Sequence, residues 1–175
     1  MVLDAGIPPA DLVAIAARRV KAPTVHIAPV RRVGAAENAE FVCVAMLLQR
    51  WDDIAPWLTE ELFADDVARR GFLAVAESAG AIEPALGLAD PEAREFLERA
   101  AVADVDADPV LEARNLIAAA TRRRLSQMVV DIAPDQLFAI REARLQLDQM
   151  EDAEGADVAA EALLGWLQGA SEGAA

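Results

Sequence analysis

Cysteine, histidine and tyrosine are nearly absent from this 175-residue sequence: one Cys43, one His26 and no tyrosine. A single cysteine excludes an intramolecular disulfide, and one histidine beside it is too few for a Cys/His zinc site. His26 falls in a proline-rich stretch and Cys43 in an apolar helical pattern, so the two make no nucleophile–base pair. Phosphate loops of the GxxxxGK(S/T) or GxGxxG type are missing, and so is the GxSxG of acyl transfer. No apolar run reaches the ~18–20 residues of a membrane span. The first residues do not read as a signal peptide, because Asp4, Pro8 and Pro9 interrupt them. These absences point to a cytoplasmic protein with no metal and no cofactor.

Glycine is also scarce, at nine residues, and β-branched runs are few, which argues against a sheet. What the sequence has instead is 40 alanines. Alanine is the best helix former but buries little surface. The expected fold is all-α with a thin core. Acid exceeds base by 30 residues to 16, a net charge of −14. The excess is uneven. Residues 1–34 carry five basic and two acidic groups, whereas residues 35–175 carry eleven and twenty-eight. A body so acidic repels phosphate, so direct nucleic-acid binding is not expected. A protein partner with a basic face is compatible with it.

Prolines, caps and breaks divide the chain. Residues 1–36 read as a short helix, about Ala10–Val20, and then an extended linker with Pro23, Pro29 and Arg31-Arg32. This stretch is either the tail of something upstream or a segment that packs back on the body. Residues 37–107 read as a helical bundle. Its first helix, about Ala36–Gln49, turns Phe41, Val44, Ala45 and Leu48 toward the core, with Met46 and Leu47 widening the stripe. Trp51–Leu58 is a short helix broken at Pro56. Asp65 is the N-cap of a helix ending at Gly80, with Phe72, Val75 and Val67 or Ala68 inward. Ile82–Leu88 forms one or two turns. Asp90-Pro91-Glu92 starts another helix, with Phe96, Leu97 and Ala100 inward. Asp108-Pro109 repeats that signal and opens a long helix over 108–133. Its apolar positions are Val110, Ala113, Ile117, Ala120, Leu125, Met128, Val129 and Ile132. After Ala133-Pro134, residues 134–170 make a helical hairpin broken at Gly155, and 171–175 form a frayed tail.

Several patterns resemble sites and reduce to simpler roles. Asp104, Asp106 and Asp108 are spaced like the start of a calcium loop, but Pro109 and Asn115 stand where that loop needs glycine and glutamate. Asp52-Asp53, Glu60-Glu61 and Asp65-Asp66 fall at helix starts, where the helix dipole favours acids. Arg122-Arg123-Arg124 reads as a solvated face pairing with neighbouring acids, or as a contact to an acidic partner. The hairpin is more informative. Residues 134–175 hold nine acids and two arginines, yet Leu137, Ile140, Leu147, Met150, Leu163, Trp166 and Leu167 need cover. Either they fold back on the body or they face a partner.

The run Leu62-Phe63-Ala64-Asp65-Asp66-Val67-Ala68-Arg69-Arg70-Gly71-Phe72-Leu73-Ala74-Val75 resembles a helix in the C-terminal helicase-binding domain of bacterial DnaG-type primases. Phe63, Asp65, Arg69, Phe72 and Ala74 match its pattern. Glu40 and Leu47-Leu48-Gln49 before it agree, as does the arginine-rich Arg122-Arg123-Arg124-Leu125 after it. Gly71 stands where the family carries a larger apolar residue. The resemblance spans about residues 37–130. It implies a helical bundle, a long helix and a terminal hairpin that docks on the amino-terminal domains of the hexameric replicative helicase. It implies that residues 1–36 end a polymerase domain and its linker, so that this chain is not itself an enzyme. Within the hairpin, the expected partner-binding residues are Leu137, Ile140, Arg141, Arg144, Leu147, Leu163 and Trp166. Because the hairpin is acidic, its partner surface is expected to be basic. The chain alone is expected to be mostly monomeric. A different reading is the ring-forming amino-terminal domain of the helicase itself, which has a similar pattern. A small helical enzyme using carboxylates is a third.

Overall fold

The computed structural model describes residues 35–128, 136–152 and 154–172. The expected helix at 10–20, the linker with His26, Val129, Ile132 and the break at Ala133-Pro134 lie outside the described residues. Among the described residues the fold is all-α, with no strand. The helices are α1 (Ala35–Gln49), α2 (Trp51–Ile54), α3 (Asp66–Glu77), α4 (Ile82–Leu88), α5 (Pro91–Ala101), α6 (Pro109–Met128), α7 (Gln136–Gln149) and α8 (Ala156–Glu172). Two short 3-10 turns, Ala55–Trp57 and Glu60–Leu62, link α2 to α3.

Helix α1 is the axis of the bundle. Its residues Cys43 to Leu47 are each at most 1% exposed. A helix that is apolar all round must be covered all round, and α2, α3, α5 and α6 surround it. The stripe expected from spacing is therefore too narrow: Cys43 is inside as well, while Phe41 and Leu48 are half-buried. Phe41 meets Phe96 of α5 edge to face, with ring centroids 5.5 Å apart. Phe63 stacks on Phe72 of α3 at 4.8 Å.

One polar residue of α1 is buried with it. Glu40 is 6% exposed, and its two carboxylate oxygens accept hydrogen bonds from the amides of Ala64 (2.7 Å) and Asp65 (3.1 Å). A buried carboxylate needs such partners. The contact also fixes where α3 begins, because Asp65 is its N-cap and accepts from the Ala68 amide at 2.8 Å.

The other expected caps form as the sequence indicates. Asp90 accepts from the Glu92 and Ala93 amides, and Asp108 from those of Val110 and Leu111. At the end of α3, both Ala79 (φ 48°) and Gly80 (φ 82°) enter the left-handed region, and the Gly80 amide donates back to the Val75 carbonyl. A Cβ on Gly80 would lie 3.0 Å from the Trp51 ring, so glycine is needed there twice over. Gly71 has a different cause. A Cβ there would lie 3.1 Å from the Phe96 ring, so Phe96 occupies the space that a larger residue at 71 would fill.

Side-chain donors tie the rest together. Gln49 and Arg50, at the end of α1, donate to the carbonyls of Ala103 and Ala107 and strap down the segment before α6. Arg70 joins α3 to the start of α5 through Asp90 and Glu92, both at 2.8 Å. The hairpin does not form a separate layer with its own core. Helix α8 packs on both α6 and α7, and Ile140, Leu147, Leu163 and Leu167 belong to the same buried cluster as α1.

Removing the Glu40 carboxylate leaves two amides without their acceptor. Glu40→Ala is expected to lower folding stability by about 2–3 kcal/mol, measured by urea unfolding, and Glu40→Gln by less. Acid is expected to weaken the junction of α3 and α5. The Ala93 and Glu92 amides, with Arg70 beside them, hold the Asp90 carboxyl below the usual carboxylate range. The Arg69 hydrogen bond and the Arg70 charge do the same for Asp66. A carboxyl held low in the folded state stabilises it above the unfolded pKa, and that contribution fades as pH falls toward the folded value. The melting temperature should therefore drop as pH is lowered from about 5 to 2, starting near the unfolded carboxylate range. Asp90→Asn should show a smaller drop.

Candidate partner-binding surface

The hairpin places the seven residues named from the sequence in two groups. Ile140, Leu147 and Leu163 are inside, at 4%, 9% and 0% exposure, and Trp166 is half-buried. These side chains hold α7 and α8 against each other and against α6, so they fold back on the body rather than facing outward. Leu137, Arg141 and Arg144 are exposed. Positions 137 and 144 flank the buried row of 140 and 147, and 141 lies further round the helix.

That outer side carries two more apolar residues. Phe138 is 78% exposed and Leu145 is 49% exposed, as is Leu137. Positions 138, 141, 142 and 145 share the outermost face, so Phe138 and Leu145 stand there beside Arg141 and Glu142, with Leu137 and Arg144 at its edge. Spacing of the inner positions alone misses this strip. Its signal in the sequence is a second i, i+3, i+7 series, set off from the first by most of a half-turn. Neither arginine makes an ion pair or side-chain hydrogen bond among the described residues.

Two acids of the hairpin, Glu142 and Asp148, are exposed on α7, and others lie beyond it. Glu151, Asp152 and Glu154 are in the turn, and Asp157 and Glu161 are on α8. Asp157 is bound to Arg114 of α6, which pins the start of α8 to the long helix. The outward side of α7 thus carries two acids, Glu142 and Asp148, beside its two arginines.

The remaining candidates have structural duties. Arg123 donates to the carbonyls of Glu61 and Leu62 and closes the second 3-10 turn, rather than pairing with acids. Asp65 caps α3, and Asp66 pairs with Arg69 and Arg70. Asp108 caps α6, while Asp104 and Asp106 point into solvent beside it. No group of three His, Cys, Asp or Glu side chains among the described residues is placed to hold a metal ion. An open groove of about 740 Å³ runs between α1, residues 103–107 and α6, past Phe41, Val42, Leu116 and Arg122. The one buried carboxylate on its wall, Glu40, is already saturated by two amides. No helix among the described residues is long and apolar enough to cross a membrane.

Every residue of the sequence motif also has a place in the fold. Phe63, Phe72 and Ala74 are buried, Asp65 is a cap, and Arg69 pairs on the surface. No family model, curated protein or solved structure matches the chain.

Cys43 is fully buried, and burial first, then the charges of Glu112 and Glu40, push its thiol up to about 12. Only the thiolate is nucleophilic. The folded protein should therefore fail to react with Ellman's reagent at pH 8, and one thiol per chain should react once denaturant is added.

Proposed function

We propose that this chain is the helicase-docking module of a bacterial DnaG-type primase, which holds primer synthesis at the unwinding fork. The observation that carries the reading is the exposed strip of α7, at the end of a bundle, long helix and hairpin that follow one another in the family's order. Two separate parts of the resemblance also meet in space. Glu40, from the helix before the motif, binds the amides of Ala64 and Asp65 within it. A partner surface is the chemistry that fits best, since the carboxylates described above act as caps and ion-pair partners. Docking would bury α7's outer face against helices of the helicase's amino-terminal domain, in a transient interface of roughly 1,200–1,600 Å².

Deleting the hairpin is a poor test, because it strips cover from the shared core. The intact chain is the right reagent. Titrated into the hexameric replicative helicase of the same organism, it should bind saturably, and the isolated amino-terminal domain of the helicase should suffice. Binding should weaken as salt rises. Absence of binding at concentrations of about 100 µM would reject the reading, since transient interfaces are rarely weaker.

A further inference from the structure

We draw no further inference here: the strongest candidate, the open groove between α1, residues 103–107 and α6, carries charges of both signs on its walls (Asp104, Asp106 and Glu112 as well as Arg122), and nothing in the structure shows what covers it.

Discussion

A helix with five consecutive residues shut off from water has no free side. That constraint, set by Cys43 to Leu47 of α1, dictates the arrangement of the bundle. The helix cannot be satisfied by one neighbour, so α2, α3, α5 and α6 enclose it. Position along its axis is then fixed by Glu40. Its carboxylate is stranded among apolar groups unless two amides reach it, and only the start of α3 supplies them. From there the order of packing follows: Asp65 opens α3, α3 carries Phe72 onto Phe63, and Arg70 reaches from α3 to the start of α5.

Alanine shapes how these helices meet. Ala45, Ala68, Ala93, Ala100, Ala113, Ala120 and Ala160 are all buried at contact positions. Small residues let backbones approach closely but contribute little buried area each. Gly71 is the extreme of the same device, where α3 comes near enough that the ring of Phe96 lies against its backbone. The scarcity of large side chains explains why the hairpin is not an appendage. Leu147, Leu163 and Leu167 add bulk that the bundle lacks, and they do so in the same core.

Local signals in the sequence were readable because local chemistry sets them. Aspartate before proline, glycine after an apolar run, and helical spacing located Asp65, Asp90, Asp108 and Gly80 within a residue or two. Contacts made across long separations were not readable in the same way. Glu40 meets residues 24 and 25 positions away, and Arg123 closes a turn more than 60 positions back. Nothing in the spacing of either residue announces its partner. The hairpin shows a subtler limit. Its apolar residues read as one set needing cover, because counting them does not say which of two faces each serves. Ile140 and Leu147 went inward, while Phe138 and Leu145 stayed out, and only packing against α8 and α6 decides which.

That division of α7 has an evolutionary consequence. One side of the helix is answerable to the fold, where Ile140, Ala143 and Leu147 are wedged against neighbours and a change in volume is felt throughout the core. The other side is answerable only to whatever it touches outside. Two selection pressures therefore act on one helix without sharing a residue. The outward side is free to drift in step with a changing partner, and a lineage can exchange its binding preference there without first solving the folding problem again.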